Sequence, residues 1–96
     1  MSFLNLEDTK NYLRIDYDTD DVLLKTLMSS AEHYLSDAIS DFENKMTKNK
    51  FKERAKILGY VLVQEWYDNR ELRENKEVSY TVRSLLTQLQ VGDFDE

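Results

Sequence analysis

Proline is absent, and glycine is confined to Gly59 and Gly92. Both residue types punctuate turns, so their scarcity predicts long helices joined by a few polar connections. Cysteine is absent as well, which excludes a disulfide framework, thiolate metal sites and a cysteine nucleophile. No stretch approaches the roughly 20 apolar residues of a membrane-spanning helix, and the opening residues lack a secretory pattern. The expectation is therefore a protein neither anchored nor exported by a signal of its own. Basic charge is in the minority, with 13 Lys and Arg against 19 Asp and Glu and a formal net charge of −6. Nucleic-acid binders neutralise phosphates with clustered cations, and this balance points the other way.

What remains is a chain of 96 residues, read as one domain over 1–96 with a single modest core. Its centre of gravity is the run Phe51 to Arg70, whose middle, Ile57 to Val63, is apolar on nearly every side of a helical wheel. A helix apolar all round is normally enclosed by its neighbours. Gly59 lies inside that run, where glycine costs about 1 kcal/mol relative to alanine, and this predicts either close approach by another helix or a tolerated weak spot.

The other elements follow in order. Asn5 with Asp8 resembles an N-cap and its first-turn acid, opening a short helix from Leu6 to Arg14. The acidic turn Asp16 to Asp21 comes next, and Asp18 or Thr19 is expected to cap the following helix. Asp16, Asp18 and Asp20 alternate as in an EF-hand loop, but the required sixth and twelfth positions hold Asp21 and Leu27, so that reading fails. Leu24, Leu27, Ala31, Leu35, Ala38 and Phe42 step by three and four, predicting a long helix from Asp20 to Glu43. On it Glu32, Asp37, Asp41 and Glu43 are placed on or beside the wet side. Asn44 to Lys50 reads as a polar loop. Leu72 to Ser79 is mostly charged or polar, and Ser79 is positioned to cap a final short helix from Tyr80 to Leu89. Residues 91–96 form an acidic, frayed tail. The fold class is thus all-α, with two long antiparallel helices and short helices at both ends.

Catalytic chemistry finds little to work with. No serine has a histidine partner in a recognisable motif, and no glycine-rich phosphate loop is present. His33 has no second histidine or cysteine with which to share a metal, and reads as a surface or boundary residue. No cofactor or metal is expected. The basic cluster Lys45, Lys48, Lys50, Lys52, Arg54 and Lys56 reads first as a solvated connection and second as a phosphate contact. Glu65-Trp66-Tyr67-Asp68-Asn69-Arg70 concentrates residue types enriched in interface hot spots. Trp66 is assigned to the monomer core, beneath Leu27 or Leu85, ahead of an interface. For Tyr67 and Arg70 core and interface stay open.

Several ordered stretches carry a resemblance. They are Lys10-Asn11-Tyr12-Leu13-Arg14-Ile15-Asp16, Asp20-Asp21-Val22-Leu23-Leu24, Ala31-Glu32-His33-Tyr34, Trp66 to Glu71, and Val82-Arg83-Ser84-Leu85-Leu86. Together they cover most of the chain, and the sequence resembles the small head–tail connector proteins of tailed bacteriophages, often labelled putative DNA-packaging proteins. Two departures stand out. Val78-Ser79 occupies the place where the family often has proline before its last helix, and the acidic stretch Asp93 to Glu96 looks like an addition.

The resemblance implies a structural subunit at the head–tail junction of a virion, assembled in the host cytoplasm. It implies a homo-oligomeric ring of about twelve copies beneath the portal, touching portal and tail-completion proteins and leaving a passage for the genome. Candidate interface residues are Tyr67, Arg70, Tyr80, Arg83 and Phe94. Phe94, alone in its tail, reads either as disordered or as docked on a neighbouring subunit. The competing reading is a small acidic adaptor that binds one protein partner and forms no ring.

Overall fold

The computed structural model describes residues 3–68 and the helix 80–91. Among these residues there are helices and turns and no strand. The elements are α1 (Leu6–Leu13), α2 (Asp21–Ala38), α3 (Phe42–Lys45), α4 (Asn49–Asp68) and α5 (Tyr80–Val91). Arg70, the 72–79 connection with Ser79, and residues 92–96 with Phe94 lie outside the described residues.

The α1 helix begins as its sequence dictates. Asn5 Oδ1 accepts the Asp8 N–H at 2.8 Å, and the Thr9 hydroxyl donates to the Asn5 carbonyl at 2.8 Å. The helix ends with Arg14 in the left-handed region, φ 62° and ψ 42°, and the Ile15 N–H returns to the Lys10 carbonyl at 2.9 Å. That i to i−5 bond closes the helix and turns the chain toward α2.

The α2 and α4 helices form the antiparallel pair at the centre. Their contacts fix the direction: Tyr17 and Asp20, at the start of α2, bond Tyr67 near the end of α4. At the other end the ring of Phe42 meets that of Phe51 at 5.8 Å, edge to face. On α2 the buried apolar stripe is Leu24, Met28, Ala31 and Leu35; on α4 it is Phe51, Ala55, Leu58, Leu62 and Val63. Both follow the three-and-four spacing of one helical face. The α1 and α5 helices pack against this pair, and Val82, Leu86 and Leu89 of α5 are buried.

The long second helix stops five residues earlier than its heptad spacing predicts. Ile39 turns extended (φ −113°, ψ 120°), Asp41 takes a left-handed conformation (φ 58°), and Phe42 opens the one-turn α3. Serine and aspartate compete with the helical backbone for hydrogen bonds, and aspartate tolerates φ > 0 better than most residues. The break folds Ile39 and Phe42, 2% and 4% exposed, over the end of the bundle. There Phe42 lies between Phe3 and Phe51, with ring centroids 5.7 and 5.8 Å away. The polar loop expected over 44–50 narrows to a turn at 46–48.

Three further expectations are corrected. Glu32 is buried, not wet: its Oε2 accepts the N–H groups of Phe3 and Leu4, each at 2.8 Å. Gly59 admits a side chain rather than a helix, because a Cβ there would lie 3.0 Å from Leu4 Cδ2. Neither Asp18 nor Thr19 caps α2. The N-cap is Asp20, with no side-chain capping bond, and both Asp18 and Asp20 bond groups on other helices.

Candidate functional site

Most of the Ile57 to Val63 run is enclosed, with Leu58, Gly59, Leu62 and Val63 buried, but Ile57 itself is 54% exposed. The reason lies in α5. Its core residues cover one flank of α4, and the strip carrying Lys50, Arg54 and Ile57, which recur at four- and three-residue steps, falls outside that cover. Between the two helices runs a groove of about 140 Å³ lined by Arg54, Ile57, Leu58, Leu85, Gln88 and Leu89. It has an apolar floor and a cationic and amide rim. Such a surface can hold an apolar side chain and orient the polar groups around it, and it offers no nucleophile or general base.

The groove sits at a defined end of the molecule. Its walls are the first half of α4 and the second half of α5. Gln90 Nε2 donates to the Ala38 carbonyl at 2.6 Å, which places the end of α5 beside the end of α2. The basic turn Lys45, Lys48 and Lys50 is at that same end, because α4 starts where α2 and α3 finish.

The opposite end is acidic and internally bonded. Lys10 Nζ donates to Asp18 Oδ1 at 2.7 Å and to Asp21 Oδ1 at 2.8 Å. The bond to Asp18 raises the Lys10 ammonium above its ordinary pKa, and the ammonium holds the Asp18 carboxyl below its own. Tyr67 donates to Asp20, and its hydroxyl meets that of Tyr17 at 2.9 Å. The phenol of Tyr67 is held well above its usual pKa, first by the bond to Asp20 and then by the bond to Tyr17. Alongside, Tyr12 stacks on Tyr60 with centroids 5.5 Å apart, and burial followed by the charge of Asp8 raises the Tyr60 phenol. Among the described residues no group of three or more His, Cys, Asp or Glu side chains is placed to hold a metal ion.

Of the five interface candidates, the side chains of Tyr67 and Arg83 are described. Tyr67 is 9% exposed and committed to the bundle. Arg83 is exposed on α5, about half a helical turn away from Leu85, Gln88 and Leu89 and so on the flank opposite the groove. Tyr80 opens α5, but its side chain, like Arg70 and Phe94, lies outside the described residues. Trp66 is half-buried and meets Tyr34 edge to face, with centroids 6.2 Å apart. Sequence reasoning missed Ile57 as surface and Leu85 as only half-buried, because both have the residue type and spacing of core. Nor did it find Lys10 with Asp18 and Asp21, or Tyr67 with Asp20; no local motif marks a pair separated by 47 positions.

No helix among the described residues is long and apolar enough to cross a membrane. No curated protein and no solved structure matches the chain. A family model described as phage gp6-like head-tail connector protein matches residues 3–90. That range takes in every described element except Val91, the last residue of α5, and stops short of Gly92 to Glu96. The chain therefore belongs to the phage gp6-like head-tail connector family.

Proposed function

We propose that this protein is a ring subunit at the head–tail junction. Copies of it assemble below the portal, join the DNA-filled head to the tail and leave an axial passage for the genome. The family match over residues 3–90 carries this reading. Two physical features support it. The α4–α5 groove and exposed Ile57 give the chain an uncovered apolar face, and a heterologous contact repeated by rotation closes a ring. The net charge of −6 disfavours a grip on phosphates that must slide past. Portal and tail-completion proteins are the partners expected above and below such a ring, with about twelve copies if it follows the portal's symmetry.

Deleting the gene from the phage tests the role. A connector leaves DNA-filled heads and finished tails that do not join, and supplying the chain restores joining. Normal virions without the chain would overturn the reading, as would particles in which it is never found. A single-partner adaptor predicts that second result.

A further inference from the structure

We infer that the α4–α5 groove of one subunit receives the acidic end of a second copy, with Val22 of that copy seated on the groove floor beside Ile57. This names the two faces that meet between copies, and it rests on the ring reading. The groove is a gap in an otherwise complete enclosure. The 57–63 run of α4 is apolar on nearly every side, a pattern that belongs to an enclosed helix. Yet Ile57 is 54% exposed, and Val61, one turn on, and Leu85, across the groove, are only half-buried.

Charge selects what covers the gap. Residues 45–56 hold six of the 13 Lys and Arg and one of the 19 Asp and Glu, Glu53. One of those cations, Arg54, lines the groove. In a two-fold contact the same patch serves both subunits, so this basic stretch would face its own copy. A contact with a different, acidic face avoids that repulsion. The opposite end of the bundle supplies one. Asp16, Asp18, Asp20, Asp21 and Asp68 gather there against Lys10, Arg14 and Lys25. At that end Val22 stands 78% exposed in the first turn of α2, directly after Asp20 and Asp21. An apolar side chain beside carboxylates matches an apolar floor with a guanidinium on its rim. The five donors of Arg54 allow it a carboxylate of the second copy besides a partner of its own. Because the two faces lie apart on the subunit, each copy offers one of each, which is the heterologous geometry that a ring uses.

The chain has no cysteine, so disulfide trapping reads the contact without background. Full-length Val22→Cys and Ile57→Cys, each altered at a surface position, are mixed at high concentration, with and without the portal ring, and oxidised mildly. Each variant holds one thiol, so every disulfide joins two copies, and bridging requires Cα atoms within about 7 Å. The expected result is a mixed 22-to-57 product in several-fold excess over both like-to-like products, falling as salt is added. Predominance of the 57-to-57 product would overturn the inference in favour of a two-fold contact. Copies that associate by mass without an excess of the mixed product would overturn it and leave the ring reading standing. Copies that do not associate even with the portal present would overturn both.

Discussion

A glutamate on the core side of α2 costs desolvation, and Glu32 offsets that cost by accepting two backbone N–H groups of the segment entering α1. The anchored segment in turn presses Leu4 onto Gly59, so one carboxylate sets the packing of the central helix. Replacing Glu32 by alanine should cost about 2–3 kcal/mol, and by glutamine about 1, because the neutral amide keeps an acceptor but loses the charge; urea denaturation measures both. Gly59→Ala sets a helix-propensity gain of about 1 kcal/mol against a Cβ placed 3.0 Å from Leu4 Cδ2, where the buried Leu4 side chain has to shift. A net loss of about 1 kcal/mol is expected in the wild-type background. In a Leu4→Ala background the same change should stabilise by about that amount. A thermodynamic cycle over the four proteins reads the difference, and equal effects in both backgrounds would show that Leu4 is not the obstacle.

Element boundaries show which signals a sequence transmits and which it does not. The start of α1 was legible because Asn5 and Asp8 act within one turn. The stripes of α2 and α4 were legible because periodicity is itself the packing rule. The break at residues 39–41 was hidden by a coincidence of spacing. Phe42 lies one heptad after Leu35, so a continuous helix and a folded-over α3 both send it to the core. Glu32 was hidden because its partners are backbone groups 28 and 29 residues away, and no side-chain pattern advertises a backbone donor.

The acidic turn was misread for a related reason: its carboxylates serve neighbouring helices instead of their own. Tyr67 makes this testable. Its raised folded pKa means that its contribution is fully present below about pH 10, the unfolded value, and is lost as pH rises toward the folded value. Asp18 and Lys10 act at the two ends of the scale. The lowered Asp18 carboxyl contributes above about pH 4 and loses that contribution on acidification. The raised Lys10 ammonium contributes below about pH 10.4 and loses it on further alkalinisation. Tyr67→Phe should cost about 1.5 kcal/mol near neutral pH and flatten the alkaline fall in stability. Urea midpoints from pH 7 to 11 measure both effects, and an unaltered alkaline limb would remove Tyr67 as its source.

On the scale of the whole molecule, the fold was readable and the exposed strip of α4 was not. Four helices of an all-α plan, the antiparallel central pair and the family resemblance all follow from residues in order. The uncovered strip depends on how far α5 reaches around α4, which is a property of packing. Ile57 thus looked like core and stands 54% exposed, while Tyr67 looked equally suited to an interface and is buried. Ile57→Glu should leave stability within about 0.5 kcal/mol, as expected of a surface position, and should prevent copies from associating. Equilibrium unfolding and sedimentation of the variant read the two effects separately. A stable variant that still assembles would move the contact surface elsewhere.

The most direct measurement is the native mass of the protein mixed with the portal ring of its own phage, with electron microscopy of the product. The account predicts a closed ring of copies seated on the portal, matching its symmetry and open along the axis. A chain that stays monomeric or dimeric at high concentration, with the portal's mass unchanged, would contradict it.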